Sequence, residues 1–129
     1  MTERLPGDPP SPFEGQFGFS RLLRVGDFVL VAGTTAVQPS GAICGETPYE
    51  QAVEIFTKIL HELSRVGLGA ADVIHNRMYV TDISRAEEVG RAHGDFFGEH
   101  RPLATMVEVS GLIDPRMLVE VETVAHASS

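Results

Sequence analysis

The run from Met117 to Ala125 alternates without a break. Met117, Val119, Val121, Thr123 and Ala125 fall on one side of a strand, and Leu118, Glu120, Glu122 and Val124 on the other. The first set reads as a core face. The second carries two carboxylates between apolar neighbours. Upstream, Phe19 to Arg24 and Phe28 to Ala32 read as two strands joined at Gly26-Asp27, a two-residue hairpin turn. Val73 to Val80 and Leu103 to Val109 are predicted strands as well. Thr34 to Gly45, broken by Pro39-Ser40-Gly41, reads as a loop with a short strand at most.

Two segments switch to helical period. Thr47-Pro48-Tyr49-Glu50 is a capping box with proline at the first helical position. Ala52, Phe56, Ile59, Leu60 and Leu63 then recur on one face, and Gly67 offers a stop. Ser84-Arg85-Ala86-Glu87 reads as a second capping box. The inner face of the helix it opens is predicted to be Ala86, Val89, Gly90, His93 and Phe96 or Phe97, with Gly98 near its end. Residues 1–16, with Pro9, Pro10 and Pro12, read as an extended N-terminal segment, and residues 17–127 as a single domain. The order β-β-(β)-α-β-α-β-β predicts an α+β fold. Two helices cover only one face of such a sheet, so the other is left for a partner subunit.

Composition narrows the function classes. At 129 residues the chain has room for one modest core. A formal charge of -8 disfavours a nucleic-acid phosphate backbone as partner. The apolar runs are too short to span a bilayer, and Met1-Thr2-Glu3-Arg4-Leu5 carries no apolar stretch of the signal-peptide kind. A single cysteine, Cys44, excludes an internal disulfide and fits a reducing, cytoplasmic setting.

Candidate chemistry is sparse. His61, His75, His93, His100 and His126 do not pair at metal-motif spacing with one another or with Cys44, so neither a metal nor a cofactor is expected. Cys44 precedes its helix cap by three residues, too far to be activated by the helix terminus, and reads as incidental. Glu120 and Glu122 lie on the mixed face of the last strand. A carboxylate in a partly dry cleft has a raised pKa and can shuttle protons near neutrality. On a solvated sheet face the same residues are ordinary surface groups.

Several pieces together resemble the RidA / YjgF family, also called endoribonuclease L-PSP: Ala71-Asp72-Val73-Ile74, Tyr79-Val80-Thr81-Asp82-Ile83, Phe96-Phe97, Pro102, Val107-Glu108-Val109 and Val119-Glu120-Val121-Glu122. Val25-Gly26-Asp27, Val31-Ala32-Gly33 and Gln51-Ala52 extend the likeness, which runs from about residue 17 to 126. The resemblance implies a chorismate-mutase-like mixed sheet with two helices on one face. It further implies a homotrimer with a central barrel and a small-molecule site in each cleft between subunits. The family's substrate-carboxylate arginine, in a Pro-x-Arg-Ser or Pro-x-Arg-Thr setting, corresponds to Ala104 in Pro102-Leu103-Ala104-Thr105. An aromatic hydroxyl near the first strand corresponds to Phe19, and an asparagine of the second helix to Gly90. Gly33, Thr105, the backbone N–H of Met106 and Glu120 keep the family pattern. By resemblance, Glu120 positions a water for attack on an imine carbon. His93 stands where the family commonly has an aromatic residue, and is either a packed side chain or a second acid/base. Arg101, three residues from Ala104, falls on the opposite side of a strand and before a proline, which makes it a poor replacement anchor.

Two functions follow. One is an enzyme that adds water to a small imine or enamine, with Glu120 as catalytic group, His93 in support, and weak or absent activity on 2-iminopropionate. The other is a non-catalytic ligand-binding or chaperone-like trimer, which needs neither the arginine nor an activated water.

Overall fold

The computed structural model describes residues 2–127. Six strands form one sheet: β1 (Thr2–Leu5), β2 (Leu22–Val25), β3 (Phe28–Thr34), β4 (Val73–Val80), β5 (Leu103–Glu108) and β6 (Val119–His126), in the order β1-β2-β3-β6-β4-β5. All neighbours are antiparallel except β4 and β5, which run parallel. A parallel pair needs a crossover, and helix α3 (Ala86–Phe97) supplies it. Helix α2 (Pro48–Ser64) connects β3 to β4 and packs on α3, β3 and β6. The predicted α+β class, the mixed sheet and the two helices are all present.

Local chemistry explains most boundaries. Val25 pairs with Phe28 across Gly26-Asp27, with Gly26 at φ 59°, so the hairpin has its expected two-residue turn. At the start of α2, Thr47 accepts from the Glu50 N–H at 3.1 Å, and the Glu50 carboxylate accepts from the Glu46 N–H at 2.8 Å. At its end Gly67 takes φ 80°, and Leu68 N–H returns to the Leu63 carbonyl. The alternation of the last strand holds in full: Met117, Val119, Val121, Thr123 and Ala125 are buried, and the residues between them are half-buried.

Three expectations need correction. The N-terminal segment is not merely a lead-in. Thr2–Leu5 pairs with β2 as an edge strand, and Pro12–Phe17 forms a short helix, α1. Polar, exposed Thr2-Glu3-Arg4 shows no alternation, so only backbone pairing marks this strand. Second, Ser84 does not cap α3. It lies inside a 3-10 turn (Ile83–Arg85) led by Asp82, whose carboxylate takes both the Ser84 N–H and hydroxyl at 3.0 and 2.6 Å. An ionised acceptor one turn earlier outcompetes a hydroxyl. Third, the inner face of α3 differs at one position: Ala92 is fully buried, whereas Gly90 faces solvent with open space around it.

The core lies between the sheet and the two long helices. Ile55, Phe56, Ile59 and Leu63 of α2 and Val89, Ala92 and Phe97 of α3 meet Val29, Val31, Val119 and Val121 of the central strands. Buried Gln51 ties this layer to the start of β6. Its amide donates to the Arg116 carbonyl at 2.9 Å and its oxygen accepts from Leu118 N–H at 2.8 Å, which fixes where β6 begins and so where Glu120 points. The other sheet face stays open. Phe28, Leu30, Leu103 and Val107 are exposed there, Leu103 at 70%.

Candidate active site

Glu120 sits on the open face, in the middle of the sheet, between Thr34-side residues of β3 and Tyr79 of β4. Gly33 lies against it: a Cβ built on Gly33 would stand 2.6 Å from Glu120 Oε2. The carboxylate therefore occupies the space a side chain would take at position 33. Burial pushes its pKa up, the neighbouring Glu122 carboxylate adds to the rise, and Arg21 opposes both. Glu122 in turn accepts a short hydrogen bond from the Tyr79 hydroxyl. The result is a carboxylate held partly dry, its pKa raised, with a second carboxylate two residues along β6 and a phenol opposite it on β4.

Two cavities adjoin at Glu120. One, about 170 Å³, is bounded by Phe13, Phe17, Phe19, Arg21, Ile113 and Met117 among others. The second is bounded by Gly33, Tyr79, Val109, Leu112 and Glu122. The floor is thus a half-buried carboxylate and the walls are mostly apolar, an arrangement that can support proton transfer on a small bound molecule.

The residues singled out from the sequence separate into two groups. Phe19, Gly33 and Glu120 come together in the first cavity. Ala104 and Met106 do not join them. They pair with Asn76 and Met78, both buried under the helices, so they lie on the opposite side of the sheet. Thr105 shares the open face, but its row partner on β6 is Glu122 by way of Arg77, two strand spacings of about 4.8 Å away. Its hydroxyl contacts His75 Nε2 at 3.2 Å. Gly90 is on α3, also on the helix side.

His93 is on the helix side too, so the structure does not bring it to Glu120. Its ring packs against Phe56 and Phe97, with centroids at 5.8 and 5.0 Å. Thr123 donates to Asn76 Oδ1 at 2.7 Å, which leaves Asn76 Nδ2 to donate to His93 Nε2 at 3.1 Å. That bond needs a neutral imidazole, and burial lowers the His93 pKa in the same direction. Arg101 is exposed in the turn before β5, at φ 53°. Cys44 is exposed.

Sequence reasoning missed Arg21, Lys58 and Tyr79. Arg21 is buried although it lies on a strand approach that reads as surface. Its Nη1 donates to the Gly33 carbonyl at 2.9 Å and the Thr34 hydroxyl at 3.0 Å, and Nε faces Glu14 at 3.4 Å. Lys58 of α2 donates to the Thr35 and Val37 carbonyls at 2.6 and 2.8 Å, and burial pulls its pKa down to about 8. Among the described residues no group of three or more His, Cys, Asp or Glu side chains is placed to hold a metal ion, and no helix is long and apolar enough to cross a membrane.

Fold and site define an α+β domain of the YjgF-like kind, with a half-buried carboxylate at the centre of an uncovered sheet face. The profile of the family described as Endoribonuclease L-PSP matches residues 12–127, so the chain belongs to that family, the RidA/YjgF family. It is 40% identical over 116 residues to an uncharacterised protein of Streptomyces coelicolor, covering 90% of this chain and 87% of that one. It is 30% identical over 128 residues to a RutC family protein of Pyrococcus abyssi, covering 98% and 94%. Among solved structures, Rv2704 of Mycobacterium tuberculosis, described as a member of the highly conserved YjgF/YER057c/UK114 family, superposes with a TM-score of 0.87 at 40% identity. That match covers 98% of this chain and 99% of that one.

Proposed function

We propose that this protein is an acid/base enzyme in which Glu120 adds water to a small imine or enamine, in clefts between the subunits of a homotrimer. The observation that carries the reading is the Glu120 carboxylate, half-buried against Gly33 and raised in pKa by burial and by Glu122. Such a group can protonate an enamine carbon and then, as carboxylate, take a proton from the attacking water. Tyr79, hydrogen-bonded to Glu122, orders the second carboxylate beside it.

The two-sided distribution of the family positions supports assembly. Phe19, Gly33 and Glu120 face one way and Gly90, Ala104 and Met106 the other. A single copy cannot unite them, but two copies meeting edge to face can. Exposed Phe28, Leu30, Leu103 and Val107 supply the apolar area that such a contact would bury. With Ala104 in place of the family's arginine, 2-iminopropionate is expected to be a poor substrate.

A non-catalytic, ligand-binding trimer is the competing reading, and turnover separates the two. Imines generated in situ from a panel of amino acids are offered to wild type and to Glu120→Gln, and ammonia release is followed. Turnover by wild type that Glu120→Gln loses supports the enzyme. Equal release by both proteins, or by neither above the uncatalysed rate, sinks it. Light scattering reports the assembly, with a trimer expected at micromolar concentration.

A further inference from the structure

Of the 10 lysine and arginine residues in the chain, all are arginine except Lys58. Lys58 stands half-buried on α2, at the wall of a cavity of about 310 Å³ between that helix, the 37–39 loop and the N-terminal segment. Its partners are two backbone carbonyls, a task that a guanidinium with its five donors also performs. What an amine adds is nucleophilicity, because a lysine deprotonates in a protein and an arginine does not.

The local geometry suits the neutral amine. Lys58 Nζ donates to the Thr35 and Val37 carbonyls at 2.6 and 2.8 Å, and to no third acceptor among the described residues. A neutral amine has two N–H groups, so it keeps both contacts, and its lone pair takes the tetrahedral direction that the carbonyls leave. Burial and the Arg21 charge pull the amine down to about 8, against the opposing pull of Glu54, Glu14 and Glu62. About one such amine in ten is neutral at pH 7, against roughly one in 3,000 for an ordinary lysine. All four of these charged neighbours line the larger cavity, and of them only Arg21 also borders the cavity of Glu120, as Lys58 itself does. Asp8 and His61 are the remaining titratable residues of the larger cavity, and His61 Nε2 is engaged with the Asp8 carbonyl at 2.8 Å.

We propose that Lys58 is a nucleophilic amine that condenses with small uncharged aldehydes admitted through the larger cavity. The lone pair of Nζ adds to the aldehyde carbon, and one amine proton passes to the oxygen to give a carbinolamine. The hydroxyl then leaves with the second amine proton as water, and a C=N bond joins Lys58 to the aldehyde. The lining sets the class of aldehyde. Asp8, Glu14, Glu54 and Glu62 outnumber the cations there and disfavour an anionic oxo acid, while Pro9, Pro10, Val37 and Pro39 offer apolar surface to a short alkyl body. This activity does not rest on the catalytic reading of Glu120.

The probe is propanal, with cyanoborohydride present to reduce the imine to a stable propylamine, and peptide mapping by mass spectrometry to separate Lys58 from the terminal amine. At pH 7 Lys58 is expected to react about 10- to 100-fold faster than Nα-acetyl-lysine amide, the gain in neutral amine less some loss of basicity. Competitive trace acetylation across the pH range should give Lys58 a midpoint at about 8. Glyoxylate, the anionic counterpart, should gain less over the model amine than propanal does. Thr57 is exposed and lines the larger cavity but not that of Glu120, so Thr57→Phe should fold and slow the Lys58 adduct, whereas Glu120→Gln should leave it unchanged. An adduct confined to the terminal amine, a Lys58 rate no higher than that of the model amine, or a midpoint at the ordinary 10.5 overturns the proposal. So does an adduct that Thr57→Phe spares and Glu120→Gln slows, which would put the reactive face of the amine in the other cavity. A glyoxylate gain equal to that of propanal overturns the choice of uncharged aldehydes.

Discussion

Gly33 and Glu120 share one volume: the carboxylate of Glu120 fills the place where a side chain at position 33 would begin, 2.6 Å from a built Cβ. Gly33 has no positive φ, so alanine is tolerated by the backbone there and acts only by contact. Gly33→Ala should therefore fold, yet push the carboxylate out of the cleft floor. A displacement of about 1 Å at a reacting group costs on the order of 10²-fold in rate. Steady-state ammonia release checks this, and an unchanged kcat/KM would show that the close approach is irrelevant to turnover.

Glu120→Gln is expected to gain stability as it loses activity. The folded-state pKa of Glu120 lies above its ordinary value of 4.5, because burial and Glu122 both disfavour its charge. Between 4.5 and that raised value the native state holds a proton that the unfolded chain has released. Wild-type stability thus falls as pH rises through this window and stays lower above it. Chemical denaturation at pH 4 and pH 7 should show Glu120→Gln more stable than wild type at pH 7, with the gap closing at pH 4. A gap of the opposite sign at pH 7 would mean that the carboxylate is stabilised where it sits.

What the sequence made legible follows from how strongly each element is patterned. The last strand and α2 were readable because alternation and a capping box both reflect burial of side chains. β1 was not, since Thr2, Glu3 and Arg4 are exposed and only their backbone pairs. On α3 the small residues carry little pattern of their own, so Ala92 is buried and Gly90 exposed where the spacing points to Gly90. Glu120 was legible as a carboxylate on a mixed face. Its relation to His93 was not, because element order alone does not say which sheet face a helix covers. Arg21 escaped notice for a different reason: its partners Glu14, Gly33 and Thr34 are distributed over three elements, and no local spacing encodes that meeting.

His93 is predicted to be a structural residue. His93→Phe keeps the ring contacts with Phe56 and Phe97 but leaves Asn76 Nδ2 without its acceptor in a fully buried position. An unsatisfied buried donor costs about 1–3 kcal/mol, and denaturant titration should show a loss of that size with imine turnover retained. The pH dependence has a fixed sign. Burial lowers the folded pKa of His93 below 6.5, so on acidification the unfolded chain takes up its proton first. Wild type accordingly loses stability as pH falls below 6.5, and His93→Phe lacks that component. Parallel curves for the two proteins between pH 7 and pH 5 would contradict the assignment.

The opposed placement of Ala104 and Glu120 leads to a test of whether one site is built from two chains. Ala104 is exposed on the outer strand β5, so Ala104→Arg should shift stability by no more than about 0.5 kcal/mol, as surface substitutions do. On 2-iminopropionate it should raise kcat/KM by about 30-fold or more, the worth of a desolvated charge pair to a carboxylate. Within one chain the new guanidinium and Glu120 point away from each other across the sheet. The double variant Ala104→Arg, Glu120→Gln is expected to be inert alone, and wild type to be weak alone. Unfolded together and refolded, the two should form mixed oligomers in which the arginine of one chain meets the Glu120 of its neighbour, and 2-iminopropionate activity should exceed the sum of the separate proteins. If mixing restores nothing while Ala104→Arg by itself is active, the arginine must serve the Glu120 of its own chain, and the inter-subunit cleft is not where this chemistry happens.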